Sequence, residues 1–266
     1  MAEDSIRFEV EEGVATITLN RPRQYNAFNR AMARELRAAW ERVKGDPAIR
    51  CVVLTGAGDK ALCTGMDVAD VASGDHVDED ESRLEGSPFN YLTAIQNQCW
   101  KPVVTAVNGM VVGGGLHFIA DSDLVVCAEH ATFLDTHVKV GLVAGLEPVG
   151  LARRLPLEAV LRMALLGGSE RLGAREALAL GLVGDVVPGE AVLPRARELA
   201  LKIAQHSPAA LARTKRAIWE SLDGGLHEGL ENAWEIIRGH SGHPDIAEGA
   251  TAFVEKRAPR WAPPTE

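Results

Sequence analysis

Two glycine-containing segments, far apart along the chain, have the residue types needed to stabilise a developing negative charge. The first covers residues 63–67 and contains Gly65; the second places three glycines at 113–115, directly before a predicted helix. Glycine lets backbone approach a ligand closely, and the first turn of a helix leaves its N–H groups unpaired at the positive end of the helix dipole. Two such amides aimed at one carbonyl oxygen would stabilise an enolate or a tetrahedral adduct. Taken singly, each glycine cluster is more often an ordinary turn.

Buried strands are predicted immediately before these segments. Apolar, Val-rich runs at 51–55 and 102–107 each end in a glycine-containing bend, and a third run at 124–127 has the same character. Near the start of the chain, residues 6–10 and 14–19 alternate with period two around Glu12-Gly13, which predicts a hairpin. Asn29 is a predicted cap for a helix over 30–44. Strands and helices that alternate to about residue 187 predict a layered α/β core.

The chain changes character in two regions. Residues 72–87 are strongly acidic with few apolar side chains, which predicts a solvated loop, and a helix is expected over 88–100. After Pro188 the pattern becomes helical. We therefore divide the chain into a core, 1–189, and a C-terminal helical region, 190–266. The helices predicted in that second region cover residues 190–205, 208–221 (with Ser207 as cap and Pro208 at its first position), 226–239 and 244–257.

Composition narrows the class of protein. A chain of 266 residues that is 46% hydrophobic can bury a sizeable core in one domain, or in a domain with an appendage. A net charge of -9 argues against nucleic acid or an anionic membrane as partner, and it means that an anionic ligand needs a local basic patch. The four cysteines lack disulfide or zinc spacing, so no metal site is expected. With neither a secretory signal nor a membrane span evident, we expect a cytoplasmic protein.

Several motifs, in the same order along the chain, resemble the crotonase (enoyl-CoA hydratase/isomerase) superfamily. The resemblance implies an α/β fold with a crotonase-like ββα spiral core and a C-terminal helical trimerisation region, assembled as a homotrimer or a dimer of trimers. It also implies an acyl-CoA substrate, so that coenzyme A enters as part of the substrate and no separate cofactor is expected. The segments that carry the resemblance are Asn20-Arg21-Pro22, Asn26-Ala27, residues 63–67, residues 101–115, Gly181-Leu-Val183 and residues 252–257.

The same resemblance implies particular site residues, with one departure. The backbone N–H groups of Met66 and Gly114 correspond to the oxyanion donors, but His117 and His137 stand where hydratases of this family carry two catalytic glutamates. Imidazole is a suitable acid or base near neutral pH, and each histidine could equally be structural. Asp121, one turn beyond His117, could hold the second ring nitrogen of His117. Glu147 is the nearest later carboxylate and could substitute as acid or base, although an exposed loop glutamate is the commoner outcome.

The implied contacts to coenzyme A are otherwise ordinary surface residues. They are Arg23, with Arg21 as an alternative, Asn26 and Ala27 near the adenine end, and Phe253 and Lys256 from a neighbouring subunit. Three functions stay open: hydration or isomerisation of a 2-enoyl-CoA, another crotonase-type reaction such as thioester hydrolysis or decarboxylation, and non-catalytic binding of a CoA ester. Dinucleotide binding at Gly56-Ala-Gly58 is disfavoured because no helix is predicted immediately after it.

Overall fold

A mixed sheet forms the framework on which the two glycine segments are carried. The computed structural model describes residues 4–67 and 91–263. In these residues the first sheet has the strand order β1-β2-β3-β5-β7-β10; β1 and β2 form an antiparallel hairpin, and the other neighbours are parallel. Its strands are β1 (Ile6–Glu11), β2 (Val14–Leu19), β3 (Cys51–Gly56), β5 (Val103–Val107), β7 (Leu124–Ala128) and β10 (Asp185–Val187).

A second sheet of four short strands includes the two strands that lead directly into the glycine segments. Its order is β4-β6-β8-β9, with β4 parallel to β6 and β6 parallel to β8. These strands are two or three residues long, which is why apolar periodicity does not reveal them. They are β4 (Ala61–Cys63), β6 (Met110–Val112), β8 (Thr132–Leu134) and β9 (Leu172–Gly173).

The helices follow the predicted pattern closely at both ends of the chain. The side chain of Asn29 accepts a hydrogen bond from Met32 N–H at 3.0 Å and caps the first helix, and Ser207 caps the helix that begins at Pro208. The helices are α1 (Arg30–Gly45), α2 (His117–Ala120), α3 (Leu146–Leu151), α4 (Leu157–Leu165), α5 (Ala174–Ala179), α6 (Val192–Ala204), α7 (Pro208–Glu220), α8 (Leu226–His240) and α9 (Pro244–Glu255).

The predicted helix over 88–100 is wrong for its described part, residues 91–100, which form successive turns. The side-chain amide of Asn97 donates to the carbonyl oxygens of Tyr91 and Thr93, both at 2.7 Å, so it takes acceptors that a helix would need. Tyr91 and Gln98 also have positive φ values, +56° and +53°, which interrupt a right-handed helix. The predicted acidic loop over 72–87 lies outside the described residues.

One continuous apolar core includes the sheet and the first C-terminal helix. β3 and β5 are buried along their whole length, as expected for parallel strands covered on both faces. α6 packs on β3, β5 and β7, and its Ala196 and Ala200 are fully buried. The division at 189/190 stays a prediction, but α6 belongs to the core by its packing. All four cysteines are buried and free. None of the described helices is long and apolar enough to span a bilayer.

Candidate active site

A short backbone bridge fixes the first glycine segment. Phe28 and Met66 form an isolated parallel bridge, in which Phe28 N–H donates to Gly65 C=O at 2.8 Å and Asp67 N–H donates to Phe28 C=O at 2.9 Å. Because the residues on either side of Met66 make both bonds, the N–H of Met66 itself points to the other side of its strand.

The second glycine segment touches the first through backbone atoms. Gly65 has φ +86°, and a Cβ there would lie 3.0 Å from the nitrogen of Gly114. A Cβ on Gly114 would lie 2.9 Å from the ring of Phe28, and one on Gly115 would lie 2.4 Å from the Cys63 carbonyl oxygen. These approaches leave no room for a side chain, which explains the glycines physically. The two segments are therefore in close backbone contact, and the convergence of the Met66 and Gly114 amides on one ligand oxygen stays a prediction.

His117 begins α2, directly after the 3-10 turn Gly113–Leu116, and is buried. Its Nε2 lies 3.2 Å from Glu147 Oε1, and its Nδ1 lies 3.2 Å from Gln96 Nε2. Gln96 Nε2 also lies 3.3 Å from Asp121 Oδ2. Asp121 thus reaches His117 through Gln96, so the expectation of a direct contact is wrong. The turns over 91–100 bring Gln96 to the site.

His137 follows β8 and is held by a buried carboxylate. Its Nδ1 lies 2.9 Å from Asp135 Oδ1, and the same oxygen accepts the backbone N–H of His137 at 2.8 Å. Asp135 is fully buried, whereas one fifth of the His137 side chain is exposed. The hydrogen bond to Asp135 raises the pKa of His137, against an opposing effect of burial, and the charges of Asp135 and Glu147 add to the rise. His137 Nε2 faces Glu147 Oε1 at 4.0 Å.

Glu147 is buried between the two histidines, so the expectation of an exposed loop glutamate is wrong. It lies in the first turn of α3, which packs against α2, and a Cβ on Gly150 would lie 3.2 Å from Ala120 Cβ across that contact. Burial alone would raise the pKa of Glu147, but the hydrogen bond with His117 and the electrostatic effect of both histidines outweigh it and lower that pKa. The site therefore holds one carboxylate that contacts the imidazole of His117 and faces the imidazole of His137 across 4.0 Å.

Near residue 26, the side chains predicted to contact coenzyme A instead make hydrogen bonds within the chain. The amide of Asn26 donates to the carbonyls of Ala57 and Ala61 at 3.0 and 2.8 Å, and its oxygen accepts from Arg21 N–H. The guanidinium of Arg21 binds Ala27 C=O at 2.6 Å and Asp67 at 2.8 Å. Any ligand contact here would thus involve backbone or neighbouring side chains.

The remaining predicted contacts lie at the surface. Arg23 is exposed on the turn that follows Arg21. Phe253 is 86% exposed near the end of α9, and Lys256 is exposed at its C-cap. Among the described residues of a single chain, neither Phe253 nor Lys256 is brought to the His–Glu cluster.

Comparison with known proteins decides the family. A family model described as enoyl-CoA hydratase/isomerase matches residues 9–264. The chain is 37% identical to the (E)-benzylidenesuccinyl-CoA hydratase of Thauera aromatica, over 96% of this chain and 98% of that protein. It is 32% identical to the crotonyl-CoA hydratase of Syntrophomonas wolfei, over 97% of each.

The chain belongs to the enoyl-CoA hydratase/isomerase family.

A solved structure supports the same assignment at the level of the fold. The crystal structure of an enoyl-CoA hydratase/isomerase from Mycobacterium paratuberculosis superposes with a TM-score of 0.89 at 38% identity, covering 99% of this chain and all of that one. The resemblance to the crotonase superfamily and the expected α/β fold are therefore confirmed.

Sequence reasoning missed Gln96 and undervalued Glu147. Gln96 lies in a segment whose spacing is typical of a helix, so nothing in the sequence pointed it toward His117. The acidic Glu147 before Pro148 was visible, but its burial depends on partners 30 and 10 residues earlier in the chain. No group of three or more His, Cys, Asp or Glu side chains in residues 4–67 and 91–263 is placed to hold a metal ion.

Proposed function

We propose that this protein catalyses the reversible addition of water to a 2-enoyl-CoA thioester, as a hydratase of the lyase class. The observation that carries the proposal is Glu147, a buried carboxylate that contacts His117 and faces His137 beside the paired glycine segments. His137 also lies against the glycine turn, since a Cβ on Gly113 would be 3.4 Å from His137 Cε1. Acid–base groups thus stand next to the amides proposed to bind the carbonyl.

In this proposal the backbone N–H groups of Met66 and Gly114 bind the thioester oxygen. They stabilise the enolate that forms when the oxygen of water bonds to Cβ and the double-bond electrons move toward the carbonyl. A base takes the proton released by that water, and an acid delivers a proton to Cα, so that one water molecule is added in total. Because the donors are main-chain groups, the partly buried side chain of Met66 is available to contact the acyl group.

Binding of coenzyme A is proposed to need more than one chain. Arg23, Asn26 and Ala27 would lie near the adenine end, and Phe253 and Lys256 would come from a neighbouring subunit. Large apolar side chains exposed on the C-terminal helices support self-association, which we propose yields a homotrimer or a dimer of trimers. Those side chains are Leu226, Leu230, Trp234, Ile237, Ile246, Phe253 and Val254.

A panel of CoA esters tests the proposed reaction. We expect a 2-enoyl-CoA to gain the mass of one water, with the label at Cβ when the reaction is run in H₂¹⁸O. Glu147→Gln, which keeps the size of the side chain but cannot accept a proton, should lower kcat by about 10²- to 10⁴-fold. Release of free thiol would instead indicate thioester hydrolysis. Binding of enoyl and malonyl-type esters without turnover would leave only a binding function.

A further inference from the structure

Gln96 has the orientation of its side-chain amide fixed by three neighbours. Its Oε1 accepts the backbone N–H of Leu92 at 3.0 Å, which leaves Nε2 as the donor side of the amide. The two hydrogens of Nε2 then point to Asp121 Oδ2 at 3.3 Å and to His117 Nδ1 at 3.2 Å. Asp121 is itself held by Thr93 Oγ1 at 2.6 Å. Rotating the amide by half a turn would lose the bonds to Leu92 and Asp121.

This orientation decides which nitrogen of His117 carries the proton. Nδ1 accepts from Gln96 and must be unprotonated, because a proton there would face the N–H of the amide. The ring proton is therefore on Nε2, which lies 3.2 Å from Glu147 Oε1 and donates to it. Both ring nitrogens are occupied by protein partners, and the residue is 5% exposed.

His137 differs from His117 in each of these respects. Asp135 accepts from Nδ1 at 2.9 Å, so Nε2 is the nitrogen that faces the site. That Nε2 lacks a hydrogen-bond partner among the described residues, and the carboxylate that faces it is Glu147, with Oε1 at 4.0 Å. Its side chain is 20% exposed, compared with 6% for His117. The charged groups that face it are Asp135 and Glu147, and both favour the protonated ring.

We infer that Gln96 is a positioning residue that holds His117 as the Nε2–H tautomer, and that His117 is a fixed hydrogen-bond donor to Glu147. Glu147 and His137 are then the two groups that exchange protons with the substrate. This division of roles rests on the proposed hydratase function. It assigns one of the two histidines that replace the expected glutamates to positioning and only the other to proton transfer.

The proton balance of the cycle closes with these two groups alone. Glu147 takes a proton from water as the water oxygen bonds to Cβ, and the imidazolium of His137 gives its Nε2 proton to Cα. This leaves a neutral carboxylic acid and a neutral imidazole. When the product leaves, the proton returns from Glu147 to His137 Nε2 across the 4.0 Å gap. Asp135 keeps His137 oriented throughout.

The tautomers of the histidine rings can be measured by NMR without any enzymatic turnover. In protein labelled with ¹⁵N in its histidine rings, two-bond ¹H–¹⁵N correlation distinguishes protonated from bare ring nitrogens, and His117→Gln identifies the signals of His117. We expect a bare Nδ1 and a protonated Nε2 for His117. Gln96→Leu should weaken this preference, because only the hydrogen bond to Glu147 then favours the Nε2–H tautomer, whereas the exposed His227, which is outside the network, should be unchanged. A protonated Nδ1 on His117 in the parent protein would overturn the inference.

Kinetics then separate positioning from proton exchange. His117→Gln keeps an N–H donor at a similar reach but cannot titrate, so kcat should stay within about tenfold of the parent and the pH profile should keep both limbs. His117→Leu removes the donor and should lower kcat by about 10- to 100-fold. His137→Gln should lower kcat by about 10²- to 10⁴-fold and abolish the alkaline limb.

The inference about His117 and the proposed hydratase function would be contradicted by different results. If His117→Gln is as impaired as His117→Leu and loses a limb of the pH profile, His117 exchanges protons and the inference is wrong while the hydratase function stands. If the parent protein hydrates none of the enoyl-CoA esters, the hydratase function fails, and the assignment of Glu147 and His137 fails with it. The tautomer measurement still judges the role of Gln96 in that case.

Discussion

Substituting Gly65 by alanine tests whether the two glycine segments work as one unit. The chain offers a matched control in Gly58, because both residues have a left-handed backbone, with φ +86° and +81°. Their surroundings differ. A Cβ on Gly65 would lie 3.0 Å from Gly114 N and 3.1 Å from Val112 O, whereas the nearest atom to a Cβ on Gly58 is a side-chain carbon of Pro22 at 3.7 Å.

The two variants should therefore share one cost in stability but differ in activity. Left-handed backbone costs a non-glycine residue about 1–2 kcal/mol, so Gly58→Ala should lose about that much free energy of unfolding and Gly65→Ala at least as much. Only Gly65→Ala must also push backbone apart, and the atoms that move carry the amides of Met66 and Gly114. Removing one oxyanion donor lowers kcat by about 10²- to 10³-fold, so displacing two amides partially should lower it by about 100-fold.

Stability is measured by urea unfolding, and activity by loss of the conjugated absorbance of a 2-enoyl-CoA under saturating substrate. Calorimetric binding of a saturated acyl-CoA shows whether Gly65→Ala still holds the ester. The reasoning is refuted if Gly65→Ala and Gly58→Ala both keep kcat within about twofold of the parent, since preorganised donors are sensitive to small displacements. Equal, large losses of kcat in both variants would also refute it, because strain rather than the amides would then be responsible.

Three further predictions concern stability, each measured as the free energy of unfolding. Because the pKa of His137 is raised in the folded protein, its pairing with Asp135 stabilises the fold fully below about pH 6.5 and less as pH rises through that raised pKa. Asp135→Asn should therefore lower the free energy of unfolding more at acidic than at alkaline pH. An equal loss at both would contradict this. Asn26→Ala should cost about 2–3 kcal/mol, because it leaves the Ala57 carbonyl and the Arg21 N–H without their partner and removes one of two side-chain hydrogen bonds to the Ala61 carbonyl; a loss below about 1 kcal/mol would argue against those bonds. Ser207→Ala should cost at least about 1–2 kcal/mol, because it removes both the α7 cap and the hydrogen bond that the hydroxyl donates to buried Asp245; Ser207→Thr keeps a hydroxyl and should recover most of the loss, and a threonine variant as unstable as the alanine variant would contradict this.

The elements that hold the glycine segments could be predicted because their signals are local. The hairpin is set by alternation around Glu12-Gly13, both of which have positive φ, and α1 begins where Asn29 can cap it. The buried strands β3 and β5 are apolar runs with no competing interpretation. The glycines suggested that the two segments could act on one oxygen, and the family resemblance implied that they do.

The chemistry of the site depends on contacts that no local pattern encodes. Residues 91–100 have helical spacing, but the Asn97 side chain competes for backbone carbonyls, and the resulting turns bring Gln96 to His117. Glu147 is buried because α3 packs against α2 and two histidines meet its carboxylate. Tertiary partners decide the burial and protonation of such groups, so sequence identified the candidates without ranking them correctly.

The Phe28–Met66 bridge has an evolutionary consequence. It fixes the main chain of residue 66 through its neighbours, so the amide keeps its direction whatever side chain the residue bears. Selection can therefore vary that side chain without disturbing the groups proposed to hold the carbonyl. A library randomised at this single codon should yield many folded variants that retain turnover and differ in the acyl groups they accept.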